Sequence, residues 1–319
     1  MKFLIIGAGS IGERHIRNLL TLGYSDILVY RTRRLPLRTV DASDISILTD
    51  WREVLARKPD AAIICSPTAL HLEQTLDCLR AGMHVLVEKP LSHTTEGLAE
   101  LKNLLTESDR LMQVGYMLRF HPLLLRVQKI LNEKTYGNLV SFHSHWGEHL
   151  PDWHPWEDYR NSYAARTDLG GGAGLTLSHD LDLALWLAAS PVARHYSVEN
   201  RSSRLETDTD EATDLIFRFE NGTTGHVHVN FFQKNPERRY EYRTDEATLV
   251  VDYFADTLTI YRAKTPPQTE RLTDFERNDL FIEQTKNFLS NIELPSERRR
   301  AISMEQFATS EQILDILTQ

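Results

Sequence analysis

Several things are scarce in this chain. Its 319 residues include only two cysteines, Cys65 and Cys78, which excludes a disulfide framework and fits a reducing cytoplasm. Cys65 sits in an apolar run and reads as core rather than nucleophile. No apolar stretch is long enough to span a bilayer. The start, Met1-Lys2-Phe3-Leu4-Ile5-Ile6, runs into glycines without a signal-peptide cleavage pattern. Positive charge is in deficit. A net charge of −9 argues against nucleic acid or an anionic membrane as the main partner. Internal repeats and low-complexity segments are absent. What is present, 41% hydrophobic and 25% charged residues, is the composition of a soluble globular protein, and the length predicts two domains.

The first motif follows at once. Residues 3–6 read as a buried strand, then comes Gly7-Ala8-Gly9-Ser10-Ile11-Gly12, then a helix pattern with Ile11, Ile16, Leu19 and Leu20 on one broad face. A G-x-G-x-x-G turn between strand and helix cradles a dinucleotide. The first glycine permits the turn, the second admits pyrophosphate, and the third allows close helix packing. The second strand, 27–31, ends in Tyr30-Arg31-Thr32-Arg33-Arg34 where an NAD-preferring fold places an acid. Three guanidiniums suit a 2′-phosphate, so Arg31, Arg33 and Arg34 predict NADP, with NAD as the alternative.

Strands at 45–48, 61–65, 85–87 and 111–115 alternate with helices at 51–57, 69–81 and 94–106, which predicts a doubly wound parallel sheet. Within it lies His84-Val85-Leu86-Val87-Glu88-Lys89-Pro90. A buried strand ends there in a carboxylate, an ammonium and a proline, at the sheet edge where ligands bind.

These segments, with Ser66-Pro67-Thr68 and His71, Ala81-Gly82-Met83 before His84, and Arg119-Phe120-His121-Pro122, resemble the glucose–fructose oxidoreductase/inositol dehydrogenase (Gfo/Idh/MocA) family. Gly170-Gly171-Gly172 followed by Ser178-His179-Asp180-Leu181-Asp182 resembles that family's second signature, so the likeness runs through essentially the whole chain. The resemblance implies a Rossmann domain over 1–120. It also implies an α+β domain with a large, mostly antiparallel sheet over 121–319, the C-terminal helix being able to pack back on the first domain. It places Lys89 at the nicotinamide and the reacting hydroxyl, Glu88 near the ribose, and a cis Lys89–Pro90 bond between them. Gly7, Gly9, Ser10, Ile11, Gly12, Ser66, Pro67, Thr68, His71 and Arg119 join the cofactor set. His179 becomes the acid/base at the substrate carbon, after a glycine run that lets backbone come close to ligand. Lys89 and His179 are the catalytic pair, and their meeting would define a cleft between the domains.

One position departs from the family. Many members carry Asp four residues before the histidine. Here Leu175 stands there, with Thr176 next; Asp180 or Asp182 is the candidate replacement, although Asp182 is rather expected to orient His179 or close the helix start.

In the second half, helix is predicted at 123–131 and strand at 139–148, where His143 and His145 share one face. Further strands are read at 195–203, 213–220, 225–233, 239–244, 248–252 and 258–262, with Asn221-Gly222 as a hairpin turn and late helices at 275–291 and 304–317. Thirteen histidines raise the question of a metal. His143, His145, His149 and His154, or His226 and His228, have no acid or cysteine completing a recognisable ligand set, so no metal is assigned. Residues 153–172 mix Trp153, His154, Trp156, Tyr159, Arg160, Tyr163 and Arg166. Aromatic faces suit sugar rings and arginines suit an anion, although a Trp-anchored loop or a subunit contact reads equally well. Candidate substrate contacts are Lys89, Tyr116, Trp156, Arg160, Tyr163, Arg166, His179 and Asp182.

The expected activity is hydride transfer between nicotinamide and a hydroxyl-bearing carbon of a sugar, polyol or anionic sugar derivative. Two rivals stand beside it: transient use of bound NAD(P) for elimination or glycoside hydrolysis, and non-catalytic dinucleotide binding. A carbohydrate-like small molecule and a second copy of the chain, met through the open face of the second sheet, are the expected partners.

Overall fold

A computed structural model describes residues 1–32 and 36–318, in two compact units. Arg33 and Arg34 lie outside the described residues. The first unit comprises Met1–Gly115 and Arg277–Leu314, the second Tyr116–Glu276 and the residues from Asp315.

In the first unit β1 (Phe3–Ile6), α1 (Ser10–Thr21), β2 (Ile27–Tyr30), β3 (Ser46–Leu48), α2 (Trp51–Ala56), β4 (Ala61–Ile64), α3 (His71–Arg80), β5 (His84–Val87), α4 (Leu98–Glu107) and β6 (Met112–Val114) alternate. The strands form one parallel sheet in the order β3-β2-β1-β4-β5-β6. Its central strands are apolar and buried along their length, as a sheet covered on both faces requires. The order reverses between β1 and β4, so the turns after those strands flank the switch point where such sheets bind ligands. α4 starts at Leu98 rather than 94, because Gly97 stands at φ 81° and breaks the helix before it.

The second unit holds α5 (Pro122–Asn132), β7 (Leu139–His149), α6 (Ala173–Thr176), α7 (His179–Ala188), β8 (Val192–Asn200), β9 (Ala212–Phe219), β10 (Thr224–Asn230), β11 (Phe232–Thr244), β12 (Ala247–Asp252), β13 (Thr257–Arg262) and β14 (Gln268–Arg271). They make an eight-stranded sheet, β14-β13-β12-β11-β7-β10-β9-β8, antiparallel except where β10 runs parallel to β7. The hairpin at Gly222 joins β9 to β10 as the Asn-Gly pair predicts. Strand β11 begins seven residues before its expected start at 239. It carries Pro236 through a register shift between Phe232 and Glu237, which a pattern-based reading takes for a loop. Along β7, Phe142, Ser144 and Trp146 are buried and α7 packs on that strand, while His143 and His145 point to the other face. That other face keeps Tyr196, Val198 and Ile216 more than half exposed.

The chain then returns to the first unit as α8 (Arg277–Ile292) and α9 (Ser296–Thr318, to Leu314 in this unit). Both late helices, not the last alone, belong there. Phe288 and Ile292 join Phe3, Ile5, Val29 and Ile63 in one core. On α9, Ser303 Oγ accepts the Met112 N–H at 2.9 Å and Gln306 Oε1 the Val114 N–H at 3.2 Å. Residues one turn apart on a helix thus satisfy alternate donors of the edge strand.

Candidate active site

The glycine turn is built as its motif requires. Gly7 has φ 91°, and a Cβ there would lie 2.9 Å from the Cys65 carbonyl oxygen. A Cβ on Gly12 would come within 2.1 Å of the Gly7 oxygen. Gly9 differs: nothing lies within 4 Å of its missing Cβ, and no side chain caps α1. The start of this twelve-residue helix therefore carries no side-chain cap, and its dipole favours an anion such as pyrophosphate there. Ser10 is exposed and Ile11 half-buried beside it.

Beyond the turn, Glu13 is a residue that sequence reasoning passed over. It is 4% exposed and accepts hydrogen bonds from the Thr39 N–H at 2.6 Å, the Thr39 hydroxyl and the Arg38 N–H. Burial raises its carboxyl, but these donors leave it below its ordinary value. An acid three residues into a glycine-led helix gives no sign in the sequence that it anchors a loop 25 residues on. Arg31, half-buried, follows β2 directly.

After β4, the Ser66 hydroxyl donates to Gln74 at 2.6 Å, Pro67 is half-buried and Thr68 buried. His71 is 2% exposed. Its Nδ1 lies 2.7 Å from the Pro90 carbonyl and its Nε2 2.8 Å from the Ser66 carbonyl. Both of its nitrogens thus meet main-chain carbonyls of the two turns. Burial pushes the imidazole below its ordinary value, against the pull of the two carbonyls.

Glu88 and Lys89 leave β5 at the carboxyl edge of the sheet. Glu88 is 8% exposed and accepts a hydrogen bond from His15 Nε2 at 2.9 Å. Burial raises its carboxyl, yet the hydrogen bond and charge of His15 hold it below the usual value. A Cβ on Gly115 would meet Glu88 Oε2 at 3.0 Å, so that glycine makes room for the carboxylate. Lys89 is half-buried and its bond to Pro90 is cis, as expected.

In the second unit His179 is the first residue of α7 and 5% exposed. Its ring meets Tyr116 edge-on at 5.7 Å and Trp146 at 6.3 Å. Both following acids are engaged. Asp180 accepts the Ser144 hydroxyl at 2.7 Å and Arg238 Nη2 at 2.6 Å. Arg238, 2% exposed, lies over the Trp146 ring at 3.6 Å. Asp182 accepts Arg119 Nε and Nη2 at 3.0 and 2.7 Å. Burial pushes the Asp182 carboxyl up, against the pull of Arg119. Asp182, expected to orient His179 or close the helix start, and Arg119, expected at the cofactor, are paired with each other. Arg238 had no signal in the sequence.

The glycine run packs closely on the chain itself. A Cβ on Gly171 would strike the Tyr163 oxygen at 2.2 Å and one on Gly172 the Asp210 Oδ1 at 1.9 Å. The arginines of the loop before it are paired with acids. Arg160 binds Asp158 and Glu206, and Arg166 binds Asp168 at 2.6 Å. Trp156 is 58% exposed and Tyr163 half-buried.

The histidines form stacked pairs, His143 on His226 at 4.9 Å and His145 on His228 at 5.1 Å. Asp214 Oδ1 accepts from His226 and His228. His149 pairs with Asp152 and His154 with Glu157. Among the described residues, no three His, Cys, Asp or Glu side chains converge as metal ligands.

Comparison with known proteins agrees with this geometry. The model of an oxidoreductase family with an NAD-binding Rossmann fold matches residues 1–116, and that of the GFO/IDH/MocA C-terminal domain matches 124–250. Inositol 2-dehydrogenase 2 of Saccharopolyspora erythraea is 29% identical over 72% of this chain and 66% of its own length. An uncharacterized oxidoreductase, YrbE, of Bacillus subtilis is 30% identical over 68% of this chain, which spans 63% of that relative. The chain thus covers just under two thirds of these curated relatives. The structure of a levoglucosan dehydrogenase in complex with NADH shares the fold, with TM-score 0.79, 17% identity, and 98% and 97% of the two chains covered.

Proposed function

This chain belongs to the Gfo/Idh/MocA oxidoreductases, and from that premise we propose that it passes a hydride between nicotinamide and a hydroxyl-bearing carbon of a sugar, polyol or sugar derivative. The observation that carries the reading is Lys89. It is half-exposed at the carboxyl edge of the parallel sheet, with both flanking residues buried and hydrogen-bonded. The uncapped start of α1 and the open space at Gly9 fit the cofactor's pyrophosphate. When bound, the nicotinamide supplies the hydride chemistry.

The chain's own residues then have these roles. The Lys89 ammonium stabilises the alkoxide that develops on the substrate oxygen. His179, at the start of α7, takes or gives the hydroxyl proton. Arg31, with Arg33 and Arg34, favours a 2′-phosphate, so the preferred cofactor is NADP. Trp156 and Tyr163 supply aromatic faces for a carbohydrate ring. The open sheet face bearing Tyr196, Val198 and Ile216 supports self-association, and two buried free cysteines support a cytoplasmic site of action.

The named relatives set the panel for the test: inositols and anhydrosugars, extended by neutral and anionic sugars, assayed with NAD and NADP. Lys89→Ala and His179→Ala are each expected to lower single-turnover hydride transfer about a hundredfold or more, with cofactor affinity little changed. Normal transfer in a well-folded Lys89→Ala protein refutes the mechanism. Turnover without net change in nicotinamide absorbance points to the transient use of cofactor instead.

A further inference from the structure

Two buried histidines flank the proposed catalytic lysine, each from a different helix. His15 lies on α1, which follows the glycine turn, and His71 starts α3, which follows Ser66-Pro67-Thr68. His15 is fully buried and reaches the Glu88 carboxylate with Nε2. Its Nδ1 has no hydrogen-bond partner among the described residues, so Glu88 is its polar anchor. His71 reaches the Pro90 carbonyl with Nδ1. The residue before Lys89 and the residue after it are therefore each tied to an imidazole.

A lysine stem has four rotatable bonds, and its ammonium is placed no better than the main chain that carries it. A displacement of about 1 Å at a reacting group costs up to a hundredfold in rate. Anchoring both neighbours removes main-chain freedom and leaves only the stem's own rotamers. The Glu88 carboxylate also acts on the charge state of Lys89, because an anion next to an ammonium favours its protonated form.

We infer that His15 and His71 are positioning residues for Lys89, His15 through the Glu88 carboxylate and His71 through the Pro90 carbonyl. They tie the two turns of the proposed cofactor cradle to the lysine. The inference rests on the proposed role of Lys89 but is tested without turnover.

The test uses the full chain without cofactor. The Lys89 amine is acetylated with acetic anhydride across a pH series, and the extent at that residue is read by mass spectrometry. His15→Leu takes from Glu88 the donor that keeps it ionised. The Lys89 midpoint should fall, raising its reactivity at a fixed pH below the midpoint about threefold or more. His15→Gln, which keeps a donor at the Nε2 position, should restore it. His71→Leu should also change Lys89 reactivity, His71→Asn should stay near the parent because its amide can reach the Pro90 carbonyl, and His71→Gln should not. Parent-like Lys89 titration in folded His15→Leu and His71→Leu proteins overturns the inference. Should the leucine variants fail to fold, the His71→Asn and His71→Gln pair decides, and equal behaviour of the two overturns it. Normal hydride transfer in Lys89→Ala would remove the catalytic role of Lys89 while leaving this labelling result intact.

Discussion

The stretch around Lys89 and the start of α7 around His179 solve one problem in two ways. Each must bury charge beside a group proposed for chemistry. At Lys89 the buried carboxylate of Glu88 is met by an imidazole through one hydrogen bond. At His179 the two buried carboxylates, Asp180 and Asp182, are met by Arg238 and Arg119, whose charge is permanent. The first arrangement hangs on that one bond. The second is a fixed scaffold, braced further by the Trp146 ring under Arg238.

The strongest way to break this contrast is to remove a permanent charge. Arg238→Met leaves Asp180 buried without its cation and is expected to cost about 3–5 kcal/mol, read by urea denaturation. Adding Asp180→Leu to it should recover much of the loss. If the single variant is no less stable than the parent, the pair does not brace the helix.

Two glycines sharpen the contrast on the cofactor side. Gly9 has φ −81° and open space where a side chain would go, so Gly9→Ala should melt like the parent. It should nevertheless weaken NADPH binding, seen by fluorescence titration, about tenfold or more, because the methyl fills the room for phosphate. Gly12→Ala should lose stability itself, since its Cβ would strike the Gly7 carbonyl.

A smaller effect is expected from Glu88. His15 holds its folded-state carboxyl below the ordinary value of 4.5 despite burial. The unfolded chain then binds the proton more readily, so this contribution is present above that value and is lost as pH falls through the folded value. Glu88→Gln should flatten the fall in stability in that acid window, measured as melting temperature against pH. An unchanged slope would mean that the carboxylate is not the titrating group.

The least effect on stability is expected at Arg160 and Arg166. Arg160 is exposed and Arg166 half-buried, and each pairs with acids near the surface, so Arg160→Ala and Arg166→Ala should leave the melting temperature unmoved. Weaker substrate binding with unchanged cofactor binding would place the loop at the substrate. Normal binding with loss of self-association would make it an interface.

Much of this was legible because local signals agreed. Strand, glycine turn and helix follow one another within Phe3–Thr21, and each limits what the next can be. Glu88 and Lys89 were legible because charge rarely ends a buried strand without use. What escaped depends on distant partners. Arg238 sits in Lys234-Asn235-Pro236-Glu237-Arg238-Arg239, a run that reads as a solvated loop. Only Asp180, 58 residues earlier, gives it a reason to be buried. The start of α9 at Ser296 escaped for a similar reason, because Glu297, Arg298, Arg299 and Arg300 carry no apolar period, and Arg299 is held by the carbonyls of Asp109 and Ile292. The Arg119–Asp182 pair escaped for the same reason, since 63 residues separate the guanidinium from the carboxylate it grips with two hydrogen bonds.

The clamp that α9 places on β6 also sets an order of events during synthesis. The first unit is made of two stretches of chain, and nearly all of the second is translated between them. At roughly 5–20 residues per second, that interval is on the order of ten seconds or more. Throughout it the Met112 and Val114 donors lack Ser303 and Gln306, and the core lacks Phe288 and Ile292. A nascent chain therefore carries a sticky sheet edge until Ser303 and Gln306 have been made. Chains released early, before residue 303, should be the ones that chaperones retain and that aggregate when chaperones are scarce.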